Sequence, residues 1–297
     1  MVSVVMPVYN TERYVAHAVQ SVLSQTFEDF EFIILDDGSV DRSMHIIQEV
    51  AENDDRIRFF PLEHQGYVSL LRRGLKHCRG EFIARMDSDD ISTPDRFEKQ
   101  VAFLRANPDV VAVGSRVILI DPYGSQFEKP GHRTEHEEIE QELLNGIGWA
   151  IVHPSAMMRR DAMVKVGGYR EDLAVSEDLD LFLRLAEVGK LRNLPDVLLQ
   201  YRQHLQSVNY TKYEQQKAVK RQIVAEAYRR RNMTMPQNWA FRERKLLAHP
   251  EQHRRWGWAA LRHGNLGVAR RHAMSAIRQS PMSIDTWRLT ACVIRGR

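Results

Sequence analysis

The stretch GEFIARMDSDD, residues 80–90, decides the fold. Its apolar segment, 82–86, reads as a strand and runs straight into three carboxylates, Asp87, Asp89 and Asp90. Asp87 and Asp89 are two apart, and in extended backbone that spacing turns both side chains to one face. A carboxylate pair at the carboxyl end of a strand suits a hard divalent cation, and such a cation can hold a diphosphate. The bland reading is a solvated turn in which Asp90 caps the next helix. Against it, three crowded carboxylates repel one another unless a cation or a donor offsets them.

Working outward, residues 2–8, 30–35 and 57–61 read as further strands, and 15–23, 43–51 and 68–78 as the helices between them. This alternation predicts an α/β fold with a mostly parallel central sheet flanked by helices. Its crossovers should be right-handed, with ligands bound beyond the carboxyl ends of the strands. Tyr9-Asn10, Asp36-Asp37-Gly38-Ser39 and the three aspartates all sit at such ends and are expected to converge on one crevice. No G-x-G-x-x-G follows the first strand, which disfavours a dinucleotide dehydrogenase. Gly38 and Ser39 suit a tight turn with a cap at Ser39 or Asp41. Asp37, in a crevice, could accept from the imide nitrogen of uracil.

The second half of this pattern is less regular. Residues 94–106 read as a helix, 110–120 as one or two strands interrupted by Gly114, 179–187 as a helix and 191–201 as a last strand. Glu177-Asp178 stands before the helix, where acidic residues complement the dipole and Ser176 can cap. A functional carboxylate would also be held rigidly there, and composition does not separate the two readings. His153 and the run Tyr201 to His204 are the remaining polar clusters. Arg202 could pair with a carboxylate, and His204 could be a third metal ligand or a diphosphate contact.

Composition sets outer bounds. A chain of 297 residues, 43% hydrophobic, suits two domains or one large α/β domain. Cys78 and Cys292 have neither metal nor disulfide spacing, which points to a reducing compartment. The opening strand has no basic leader and contains Pro7, so no signal peptide is expected, and apolar runs are far short of a membrane span. A net charge of +3 is too mild to imply nucleic acid. From Lys212 onward, however, basic residues far outnumber acidic ones, interleaved with Trp239, Trp256, Trp258 and Trp287. That tail reads as helical, with a hairpin look over 257–280. It is either an anionic-membrane surface or a solvated helical domain with its aromatics in a core.

Several ordered stretches together resemble the family 2 glycosyltransferases of the bacterial surface-polysaccharide type. They are VSVVMPVYN at 2–10, SVLSQTFEDFEFIILDDGSVD at 21–41, GEFIARMDSDDISTPDRFEKQ at 80–100, HPSAMMRRDAMVKVGGYRE at 153–171, SEDLDLFLRL at 176–185 and LPDVLLQYRQH at 194–204. The resemblance implies a catalytic domain over 1–205 with the nucleotide-diphospho-sugar transferase fold called GT-A, and a helical, basic region over 206–297. It implies that Pro7, Val8 and Tyr9 line a base pocket, that Asp37 meets the uracil of a UDP-sugar, and that Asp87 and Ser88 lie by the ribose and metal. Asp89 would ligate Mg²⁺ or Mn²⁺, with Asp87 and His204 as further candidate ligands, and Asp178 would be the base of an inverting transfer. The implied acceptor is a saccharide or lipid-linked saccharide, and the implied place is the cytoplasm, with peripheral contact at the inner face of the cell membrane. Arg72 stands where the family often has Asn, and could either put a positive charge near the donor phosphates or simply disturb donor choice. His64-Gln65-Gly66 departs similarly from a frequent Asn-Gly. A nucleotidyltransferase would need a Gly-rich basic loop after the first strand, which MPVYNTERY lacks. An idle sugar-nucleotide sensor would be favoured by loss of Asp89 or Asp178, and both are present.

Overall fold

The computed structural model describes residues 1–207, 213–239 and 247–296. By compactness the chain divides into two units. The first is Met1–Val117, Gly131–Gln200 and Glu214–Arg242, and the second is Ile118–Pro130, Tyr201–Tyr213 and Glu243–Arg297.

The sheet is mixed. Strands β1 (Val2–Val8), β2 (Phe30–Asp36), β3 (Ile57–Pro61) and β4 (Phe82–Arg85) are parallel in the order β3-β2-β1-β4. Beyond β4 the strands turn antiparallel. β5 (Ile91–Ser92) pairs with β9 (Lys190–Arg202), β6 (Val110–Ile120) with β7 (Gln126–Glu128), and β8 (Met157–Arg159) with both β4 and β6. Every residue of β1 and β2 is buried, as expected for strands covered on both faces. Register places Val8 opposite Asp36 and Val5 opposite Arg85. The carboxyl ends of β1, β2 and β4 therefore lie side by side, and so do the loops that leave them.

Around this sheet run α1 (Val15–Leu23), α2 (Ser43–Ala51), α3 (Tyr67–His77), α4 (Arg96–Ala106), α5 (His136–Leu144), α6 (Arg160–Lys165), α7 (Glu177–Leu185) and α8 (Tyr213–Arg230). Helix α7 buries Leu179, Leu181, Phe182, Leu183 and Leu185 in the same core as Ile33, Leu35 and Ile83. Ile223, Val224 and Ala227 of α8 join that core, and the Trp239 indole nitrogen donates to the Leu144 carbonyl at 2.9 Å. Gly114 does not interrupt β6. A Cβ there would fall 2.2 Å from Asn193 Oδ1, so glycine lets Asn193 approach and donate to the Arg133 and Ala150 carbonyls at 2.7 and 2.8 Å.

The second unit contains α9 (His249–Arg262), α10 (Leu266–Gln279) and α11 (Ile284–Arg295). Its core is small-residue packing: Ala260, Ala269 and Ala273 against Leu289 and Val293. Trp256 is fully buried there. His272 Nε2 lies 2.8 Å from Asp121 Oδ2, and His253 Nδ1 lies 3.1 Å from His272 Nδ1. Among the described residues, no helix is long and apolar enough to cross a membrane.

Candidate active site

Two loops leave β1 and β2 and are bonded to each other. Asn10 N donates to Ser39 Oγ at 2.9 Å, and Val40 N donates back to Asn10 Oδ1 at 2.9 Å. Thr11 N and Glu12 N reach Ser43 Oγ and Asp41 Oδ2 at 2.8 and 3.0 Å. Asp36 is absorbed by the turn, accepting from Ser39 N and Oγ at 2.8 and 2.6 Å. Gly38 sits at φ +73, and a Cβ there would meet His64 N at 3.0 Å, so this turn requires glycine twice over.

Asp37 is buried and faces the segment before α3. It accepts from Gln65 N at 2.7 Å and Gly66 N at 3.0 Å, and its Oδ2 lies 2.9 Å from His64 Nδ1. The His64 ring stacks on exposed Tyr9, centroids 4.7 Å apart. The His64-Gln65-Gly66 segment thus supplies donors and an aromatic face to one wall with Asp37 and Tyr9, while Pro7 and Val8 are buried at the end of β1. A carboxylate offers about four acceptor positions, and three groups here use it, which leaves room for another donor.

At the end of β4, Asp87, Asp89 and Asp90 each place a carboxylate oxygen within 4.8 Å of the others. Asp87 and Asp89 are half-buried and Asp90 is buried. An all-oxygen, anionic trio fits a hard divalent cation. Ser88, buried between them, accepts from Thr11 Oγ1 at 3.1 Å, tying this loop to the one that bears Tyr9. Behind the trio lies Arg85, which the sequence hides inside an apolar strand. It is fully buried, pairs with Asp87, and donates to the Tyr67 hydroxyl and the Met86 carbonyl. Burial pushes the Asp87 carboxyl up, Arg85 pulls it down, and Asp89 pushes it up again, with a net rise. Buried Arg96 feels Asp90, and burial lowers its guanidinium to about 9. Two guanidiniums therefore back three carboxylates.

The second carboxylate pair opens α7. Ser176 does not cap the helix as expected: its backbone is left-handed at φ 59, and its side chain makes no cap bond. Asp178 Oδ1 instead accepts from Leu179 N at 2.8 Å. Asp180 is buried against Arg184 and Arg170, at 2.5 and 3.3 Å, and fixes the helix. Asp178 is half-buried, its carboxyl raised by burial against the opposing pull of Lys220 from α8. Glu177 is buried, and burial with the neighbouring Asp178 charge pushes its carboxyl up to about 8. His153 Nδ1 stands 4.0 Å from Glu177, and His153 Nε2 meets the Tyr169 hydroxyl at 2.7 Å. Burial and the Arg85 charge hold that imidazole neutral. Arg85 acts on Glu177 as well, and Tyr67 feels both Asp87 and Glu177, so the two carboxylate groups share one buried field.

Arg72 on α3 pairs with Glu171 at 2.6 Å and lines a 340 Å³ pocket together with Lys76, Arg160, Leu75, Ile83 and Met163. Arg202 and His204 belong to the second unit, where Arg202 donates to the Asp121 carbonyl at 3.1 Å.

A family model described as "Glycosyl transferase family 2" matches residues 3–167. The chain is 35% identical to the putative glycosyltransferase EpsE of Bacillus subtilis, over 68% of this chain and 73% of that one. It is 36% identical to the O-antigen biosynthesis glycosyltransferase WbnJ of Escherichia coli, over 70% and 81% respectively. In fold it is similar to S. aureus TarS 1-349 in complex with UDP-GlcNAc, with TM-score 0.61 and 17% identity over 99% of this chain and 88% of that one.

Proposed function

The chain belongs to glycosyl transferase family 2, and on that premise we propose that it is an inverting, metal-dependent transferase. It moves a sugar from a UDP-sugar to a saccharide or lipid-linked saccharide during synthesis of a cell-surface polysaccharide. The observation that carries this reading is the trio of aspartate carboxylates within 4.8 Å of one another, joined through Ser88 and Thr11 to the loop bearing Tyr9. Asp89 and Asp87 would hold Mg²⁺ or Mn²⁺. When bound, such a cation would supply positive charge against the negative charge developing on a leaving diphosphate.

The chain's own residues do the rest. Tyr9 and His64 offer a stacking face for the base, and Asp37 offers an acceptor to the uracil imide. Asp178 takes the proton from the acceptor hydroxyl, whose oxygen forms a bond to the anomeric carbon as the bond to the diphosphate oxygen breaks. Attack from the opposite face inverts the configuration. A raised carboxyl is the better base for this purpose, provided it is ionised at working pH. The pairing with O-antigen and related relatives supports the polysaccharide assignment.

The test is a screen of UDP-, GDP- and dTDP-sugars with Mn²⁺, read as released nucleoside diphosphate, followed by NMR of the product. Release from UDP-sugars and an inverted anomeric centre are expected. Retention would exclude the mechanism, and no release from any donor would exclude the transferase reading.

A further inference from the structure

Helix α11 has two apolar faces. One, Thr286, Leu289 and Val293, is buried. The other lies opposite it: Ile284, Trp287 and Ile294, at 71%, 53% and 75% exposure, with exposed Ala291 between them. Spacings of three, four and three residues put these four side chains on one stripe about 15 Å long. Met282, 92% exposed, stands just ahead of the helix. The Trp287 indole nitrogen already donates to the Pro281 carbonyl at 2.7 Å, so the exposed ring carries no unmet donor. Burial on a core does not explain this stripe, because the helix already has its core face.

The charge around it selects the partner. Residues 247–297 contain nine arginines, no lysine and two acidic residues. Arg288 and Arg295 are exposed along the edge of the stripe, and Arg262, Arg270 and Arg278 are exposed on α9 and α10. Arg288 lies 3.1 Å from Asp285, one of the two acids. A second copy of so cationic a surface would be repelled. An apolar stripe with Trp and Ile, edged by arginine, matches the interfacial zone of an anionic bilayer.

We infer that α11 docks the second unit on anionic phospholipid, inserting Met282, Ile284, Trp287 and Ile294 between headgroups while Arg288 and Arg295 meet phosphates. The inference stands on this surface alone and is independent of the transfer chemistry. Its test is co-sedimentation of the full chain with phosphatidylcholine vesicles, with and without phosphatidylglycerol, at low and high salt. Binding to the anionic vesicles is expected to exceed binding to the neutral ones at least about tenfold and to fall with salt. The triple substitution Ile284→Ser, Trp287→Ser, Ile294→Ser should abolish it while UDP binding with Mn²⁺ stays unchanged by calorimetry. Trp287→Phe, which keeps the apolar face, should retain binding but lose the lipid-induced blue shift of Trp287 fluorescence. The inference is overturned if wild-type protein ignores anionic vesicles, if the triple variant binds as wild type does, or if sedimentation velocity shows a dimer that the triple variant dissolves.

Discussion

The carboxylates at the end of β4 and those at the start of α7 are crowded alike and compensated differently. Asp87 touches a buried guanidinium, and Asp90 feels another. Glu177 has a neutral imidazole 4.0 Å away, and Asp178 has the Leu179 amide and the field of Lys220. The same residue type thus sits over built-in positive charge in one place and in desolvation with little relief in the other. The first arrangement lets carboxylates crowd over positive charge, as the proposed cation would need; the second leaves desolvation to raise a carboxyl, as the proposed base would need.

Substituting one member of each group separates the two. Asp89→Asn keeps the shape of the β4 cluster and removes the charge that a hard cation needs. Activity should fall about a thousandfold or more, and Mn²⁺-dependent nucleotide binding should weaken with it. Near-normal turnover in a metal titration would erase the distinction. Asp178→Asn should lower turnover by about 10²- to 10⁴-fold and leave nucleoside diphosphate binding intact by calorimetry. Asn also serves helix starts, so a purely structural Asp178 would cost little when replaced.

Two further variants probe the compensation itself. Arg85→Met should destabilise the fold by about 3–5 kcal/mol, because it leaves half-buried Asp87 and the Tyr67 hydroxyl without their buried guanidinium. Urea unfolding measures this, and a cost below about 1 kcal/mol would show that the guanidinium is not what holds the β4 carboxylates. The α7 pair gives the smallest effect. Glu177 has its folded carboxyl at about 8 against an ordinary 4.5, so it binds its proton more tightly folded than unfolded. Its contribution to stability is therefore present below about 4.5 and lost as pH climbs through about 8. Glu177→Gln should flatten that decline by on the order of 2 kcal/mol between pH 5 and pH 8.5, read from urea midpoints. Parallel curves for the two proteins would remove the contrast.

The β4 side was largely legible in the sequence, because strand alternation and an Asp-x-Asp spacing are local signals. The central strands and the convergence of three loop ends follow from the same pattern. Arg85 was not legible: inside FIARM it looks like an interruption, and its partners Tyr67 and Val5 come from other elements. Ser176 misled for a different reason. Its residue type suits a cap, but only the backbone angle reveals that it is not used as one. In the tail, counting tryptophans treated as alike residues with opposite fates. Trp239 and Trp256 are buried, Trp258 is half-buried, and Trp287 is exposed. Helix α8 was legible as a helix, yet its packing on the core with α7 depends on contacts that no local period encodes.

The paired bonds between the Asn10–Glu12 loop and the Ser39–Ser43 turn bear on how this family member can change. Each loop supplies both donors and acceptors to the other, so an insertion in either leaves orphaned polar groups in both. The two segments should exchange their amide hydrogens together, as one opening unit rather than as two independent loops. They should also tolerate change only in concert. In the His64-Gln65-Gly66 segment, which holds Asp37 through two backbone amides and the His64 ring, the Gln65 side chain takes no part in that hold and is the freest of the three to vary.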